Sequence, residues 1–220
     1  MNAPFLDAET EAEIRRRGAA LEAATGVEVV TAIVARADSY PEVPWKAFAL
    51  GASLASLCTV VGAFFEPGWE AFTAVIETAV IVLAAGAAAA LATVWSATFA
   101  RLFLPRSRRE GEALQYAQAM FLETGLAGTT RHNGILLLVS LFERQVVVVA
   151  DRGVREKLET SGLDSVVSAI TERIAQGTLK EAFLDGLAKL EEVLRARGFR
   201  PQAEHVNEVP DSVVQRREPS

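Results

Sequence analysis

The sequence predicts an α/β protein, an αβα layered sandwich with a small mixed sheet, interrupted by a two-helix transmembrane hairpin. Three observations predict it. Between Ala47 and Ala100 the charged residues are limited to Glu66, Glu70 and Glu77, so the middle of the chain holds two apolar stretches long enough to cross a bilayer. On either side of that block lie short β-branched runs of the kind found in buried strands. Amphipathic helical patterns flank those runs, and a helix of that kind buries its apolar stripe on a sheet.

The first arm, residues 1–45, begins with Asp7 as N-cap of a helix to about Ala24, with Ile14 and Leu21 among its apolar positions and Thr25-Gly26 as its stop. Val27 to Ala35 follows as a strand. One helix and one strand cannot close a core, because the strand keeps both ladder edges open and the helix covers one face. Residues 46–104 are the hairpin, with spans at about 47–65 and 79–99. At about 1.5 Å per residue, roughly 20 residues cross a hydrocarbon core about 30 Å thick. Pro67-Gly68 supplies the turn, and Glu77 is expected to reach the headgroup boundary. Lys46, Arg101, Arg106, Arg108 and Arg109 flank the spans, while the connection carries Glu66 and Glu70 and no Lys or Arg. The positive-inside bias therefore places both arms in the cytoplasm.

The second arm, residues 105–199, supplies the missing layers. A helix from about Arg106 to Leu122 leads through a glycine-containing loop to the strand Ile135–Ser140, and a four-residue link returns the chain as the strand Gln145–Ala150, an antiparallel pair. Amphipathic helices are expected at about Leu163–Gln176 and Thr178–Arg197. Residues 200–220, with Pro201, Pro210, Pro219 and mixed charge, read as a disordered tail.

A net charge of -6 offers no concentrated basic face for nucleic acid, which is excluded as a partner. The mean hydropathy of +0.23 comes from the hairpin. The single cysteine, Cys58, lies inside the first span, so neither a disulfide framework nor a cysteine-based zinc site is available. P-loop, dinucleotide, zincin and nucleophile-elbow motifs are absent from the sequence.

Asp151 and Arg152 stand at the end of a strand, followed by Gly153, and allow two readings. In one they form a sheet-end site, with the carboxylate holding a cation and the arginine clamping a phosphate, and Asp38 supplies a second carboxylate. In the other, Asp151 caps a helical turn and Gly153 takes a positive φ. Glu143-Arg144 likewise reads either as part of a site or as a solvated turn, and Arg131-His132 as a loop pair able to meet phosphate.

The segments Ala35-Arg36-Ala37-Asp38-Ser39-Tyr40, Thr130 to Leu136, Ser140-Leu141-Phe142-Glu143-Arg144 and Val149-Ala150-Asp151-Arg152-Gly153-Val154 resemble the TPM domain. That family is named for thylakoid-lumen, photosystem-repair and acetylcholine-receptor-modulating members. The resemblance covers about residues 7–41 and 107–199, and the inserted spans are similar to a bacterial membrane subgroup. It implies an αβα sandwich at the bacterial inner membrane. For activity it implies either assembly or maintenance of membrane protein complexes, or acid phosphatase chemistry with calcium. The site candidates are those the residues themselves offer, Asp151, Arg152 and Arg144 for catalysis and Asp151 and Asp38 as metal ligands. The lipid bilayer and other membrane proteins are the expected partners.

Overall fold

A computed structural model describes residues 5–65, 71–158, 160–200, 208–210 and 212–217. The chain divides into two units, one made of residues 1–38 and 110–220 and the other of residues 39–109.

The first unit is built on a four-stranded mixed sheet. Helix α1 (Ala8–Thr25) starts at Asp7, whose carboxylate accepts the Thr10 N–H at 2.7 Å, and stops at Gly26, whose φ of 69° lets its N–H reach the Glu22 carbonyl. Strand β1 (Glu28–Val34) is buried along its whole length, which is why it reads as a continuous apolar run without alternation. It pairs in parallel with β2 (Gly134–Ser140), and β2 pairs antiparallel with β3 (Gln145–Ala150). Gly134 can open β2 because a Cβ there would stand 2.7 Å from the Leu126 carbonyl oxygen.

The sheet order is β3-β2-β1-β4, and β4 (Val213–Arg216) corrects the sequence reading of residues 200–220 as a disordered tail. It lies parallel to Thr31–Val34 and covers an edge of β1 that would otherwise present open donors and acceptors. Its two valines join opposite faces: Val213 enters one core cluster and Val214 packs against the other. Gln215 Oε1 accepts the Phe5 and Leu6 N–H groups at 2.9 and 3.2 Å, so the strand also fixes the lead-in to α1.

Alternation across the sheet gives two cores. Val29, Ile33, Ile135, Leu137 and Val139 face α1, α7 (Thr160–Ala175) and α8 (Leu179–Ala196), meeting Ile14, Leu21, Ile170, Phe183 and Leu187. Val30, Ala32, Val34, Leu136 and Leu138 face the other way, onto Tyr116, Ala117, Met120 and Phe121 of α5 (Arg106–Glu123) and Leu126 of the short 3₁₀ turn after it. The layers are therefore helix, sheet, helix.

The second unit holds α2 (Glu42–Ala63), α3 (Ala71–Trp95) and the short α4 (Ala97–Arg101). Both long helices begin before the spans expected at 47–65 and 79–99, because helical hydrogen bonding takes in residues such as Trp45 and Glu77, and both stop short of the expected ends, at Ala63 and Trp95. Ser96 breaks the run with an extended backbone, and its hydroxyl accepts the Phe99 N–H. A Cβ at Gly51 would stand 2.8 Å from the Ala85 oxygen and from Ala89 Cβ, and one at Gly86 would meet the Phe48 ring, while Thr59 and Ala63 share a groove with Ala74 and Thr78. The two helices thus run antiparallel at close approach. The Pro67-Gly68 turn and its acidic residues lie outside the described residues.

Candidate functional site

The parallel direction of β1, β2 and β4 gives the sheet a carboxyl end and an amino end, and the sequence-derived candidates divide between them.

At the carboxyl end, β1 continues through Ala35 to Asp38, and the Leu141 and Phe142 N–H groups donate to the Val34 and Ala35 carbonyls at 3.0 and 2.9 Å. The turn that follows β2 is not solvated as one sequence reading has it. Glu143 is fully buried, its Oε1 accepts the Ala37 N–H at 3.0 Å, and its Oε2 is in contact with the Ser140 hydroxyl. A charge in a turn reads as exposed, and here the turn folds its carboxylate inward onto a loop more than a hundred residues earlier in the chain. The Arg36 guanidinium lies 4.1 Å from the centre of the Phe142 ring. Arg144 is exposed, with a φ of 54°, and Asp38 is half-buried.

At the amino end, the Asp151 N–H closes the β2–β3 ladder on the Gly134 carbonyl, and the residue then caps the one-turn helix α6 (Arg152–Arg155). Its Oδ1 accepts the Arg152 N–H at 2.6 Å, and its Oδ2 lies 3.2 Å from Nδ1 of His132. The capping reading of Asp151 is the one its hydrogen bonds match. Gly153 is required for a different reason than the positive φ expected of it: a Cβ would stand 2.7 Å from both the Arg131 and His132 carbonyl oxygens, and the Gly153 N–H donates to that of His132. His132 itself adopts a φ of 53°. Arg152 points to solvent, 3.4 Å from Glu156 one helical turn on.

Asp151 is therefore beside His132 and Arg152, whereas Asp38 and Arg144 lie at the other end of the sheet. At about 3.3 Å per residue, the seven-residue β1 separates the two ends by about 20 Å. A calcium ion takes six to eight oxygens within about 2.6 Å, so Asp151 and Asp38 do not fit as ligands of one ion. Both Asp151 oxygens are already engaged, and among the described residues no group of three or more His, Cys, Asp or Glu side chains is placed to hold a metal. The carboxyl-end residue that sequence reasoning missed is Ser140: an apolar strand ending in a hydroxyl three residues before a glutamate was the available signal.

The family model of the TPM domain matches residues 85–193. The chain carries a TPM domain. The match begins within α3 and runs through α4, α5, β2, β3, α6 and α7 into α8, while α1, the central strand β1 and α2 precede it. The fold of the whole chain is similar to that of the BA42 protein from the psychrophilic bacterium Bizionia argentinensis, determined by NMR, with a TM-score of 0.58, 15% identity and 98% of each chain covered. No curated protein matches the chain.

Proposed function

We propose that this protein is a membrane-anchored TPM domain that acts as an interaction or assembly factor for membrane protein complexes, with both arms on the cytoplasmic side of a bacterial inner membrane. The observation that carries the reading is the outward surface of α2 and α3. Both are long and apolar enough to span a bilayer, and only 6% of each apolar window is buried. Phe64, Phe65 and Trp95 are each at least 80% exposed, and Leu54, Leu57, Val80 and Leu83 add to the same apolar surface. Soluble monomers rarely expose contiguous apolar patches beyond a few hundred Å², and lipid is the solvent that makes such a surface favourable.

Orientation rests on charge. Lys46 Nζ reaches the Phe103 carbonyl at 3.5 Å and Arg108 lies 4.0 Å from Glu42, so the basic flanks gather at one end of the hairpin. An interaction role is favoured over hydrolysis because the catalytic candidates do not converge: Asp151 serves as a cap, Arg152 is solvated, and Arg144 is a sheet length away.

The test is alkaline extraction of membranes followed by crosslinking in gently solubilised material. Retention in the membrane pellet with a reproducible crosslinked membrane protein is the expected result. Release at high pH, or a monomer with no crosslinked neighbour, removes the reading. Phosphomonoester hydrolysis by the full-length protein that disappears in Asp151→Asn replaces it with the family's phosphatase chemistry.

A further inference from the structure

The two outer edges of the sheet are finished differently. β4 is four residues long and carries Gln215 and Arg216, the short and polar kind of edge that discourages further pairing. β3 is six residues long, Gln145 followed by four valines and Ala150, and it pairs with β2 in one unbroken register without a bulge. It holds no proline and no charge, and among the described residues no strand lies on its far side. An edge of this length and composition is normally covered, because its open donors and acceptors invite another strand.

Which groups stand open follows from the ladder. The Leu141 N–H donates to the Val34 carbonyl, so the odd-numbered residues of β2 face β1 and the even-numbered ones face β3. Opposite those even-numbered residues lie Gln145, Val147 and Val149, and the Asp151 N–H continues the same series on Gly134. The N–H and C=O groups of Val146, Val148 and Ala150 therefore point outward from the edge. Their side chains do not: Val146 and Val148 pack on the α7–α8 side of the sheet, and Val147 and Val149 on the α5 side. What stands open is main chain, and only an extended segment can meet alternating donors and acceptors along such a row.

Charge selects among extended segments. Arg144 precedes the strand and Arg152 follows it, and both are exposed; among the described residues Arg144 makes no ion pair, and Arg152 keeps only a solvated contact with Glu156. A second copy of the chain is opposed. The antiparallel register that joins all three open residues, Val148 on Val148 and Val146 on Ala150, sets Arg144 opposite Arg152 at both ends. We propose that the β3 edge takes an extended segment of a partner protein by strand addition, β-branched in its middle and carrying a carboxylate near each end. This rests on the interaction reading above and gives it a surface, with main-chain hydrogen bonds supplying the affinity and the two arginines setting the register.

The experiment is a fluorescence-anisotropy titration of the full-length protein in non-ionic detergent against a labelled synthetic peptide of alternating threonine and valine, about six residues long, with an aspartate at each end. Saturable binding with a Kd of about 1–100 μM is expected. A peptide N-methylated on the alternate residues whose N–H groups face the edge should bind at least about tenfold more weakly, and one with lysine for aspartate at least about fivefold. Val148→Pro removes an outward donor and spares the β2 ladder, whose bonds come from Gln145, Val147 and Val149, so it should weaken binding by at least about fivefold at unchanged circular dichroism. Arg144→Gln with Arg152→Gln should abolish the preference for aspartate over lysine. Binding that does not saturate by about 1 mM, equal affinity for the N-methylated peptide, or an aspartate preference that survives the arginine variant overturns the proposal. So does a dimer of the protein that Val148→Pro dissociates, which gives the edge to a second copy. A chain that crosslinks to a membrane neighbour yet ignores the peptide overturns this inference alone, whereas peptide binding without a crosslinked neighbour removes the assembly reading and leaves the edge.

Discussion

Replacing Glu143 tests how the two arms are joined at the carboxyl end of the sheet. Its carboxylate is fully buried and accepts from the Ala37 N–H and the Ser140 side, tying the loop after β1 to the β2–β3 turn. Hydrogen bonds to a charged group contribute about 1.5–3 kcal/mol each, so two contribute roughly 3–6. Burying the carboxylate costs several kcal/mol in lost hydration, which Glu143→Ala relieves. Alanine also leaves the Ala37 N–H and Ser140 hydroxyl enclosed and unmatched, at about 1–3 kcal/mol for each buried group. The balance is a loss of about 2–4 kcal/mol for Glu143→Ala. For Glu143→Gln it is about 1 kcal/mol, because Oε1 still accepts from Ala37 and the Ser140 hydroxyl can turn to accept from the new amide. With domain stabilities of about 5–15 kcal/mol, the alanine variant loses a large fraction of the total. Urea denaturation of the full chain in detergent, followed by far-ultraviolet circular dichroism, gives both values. An alanine variant within about 0.5 kcal/mol of the parent, or a glutamine variant less stable than alanine, refutes the reasoning.

Gly186→Ala is expected to destabilise by about 1 kcal/mol in the same assay, because a Cβ would stand 2.4 Å from Ile170 Cγ1, and overpacking of about 1–3 kcal/mol exceeds the helix-propensity gain of about 1 kcal/mol. Ile170→Ala should then cost less in the Gly186→Ala background than in the parent, and additive losses would contradict this. Gly51→Leu should force α2 from α3, since its Cβ meets the Ala85 backbone oxygen at 2.8 Å and backbone cannot yield as a side chain can. Disulfide yield between cysteines placed at Thr59 and Thr78, in a Cys58→Ser chain, is expected to fall; an unchanged yield counts against the packing. The Asp7 carboxyl is held below its ordinary value of 3.8, chiefly by the Thr10 backbone N–H. A depressed folded-state pKa means that the cap is complete above the unfolded value and is lost as pH falls through the folded one. An NMR titration should place the Asp7 midpoint below 3.8, with the Thr10 amide moving in step, and a midpoint at or above 3.8 is the contrary result.

The sequence by itself determined what local pattern can encode. Asp7 and Gly26 bracket α1 because capping needs only neighbours, β1 and β2 announce themselves by apolar β-branched runs, and α2 and α3 are marked by length and the scarcity of charge. Tertiary structure alone decided which remote residues meet. β4 hides in a polar, proline-bearing segment because its four residues become a strand only where β1 offers an open edge. Glu143 reads as solvated until the loop at Ala37 folds over it. Asp38 and Asp151 both follow strands, and only the antiparallel return of β3 sends them to opposite ends of the sheet, while bringing Asp151 beside His132. Strand direction is a property of the assembled sheet rather than of any segment in it.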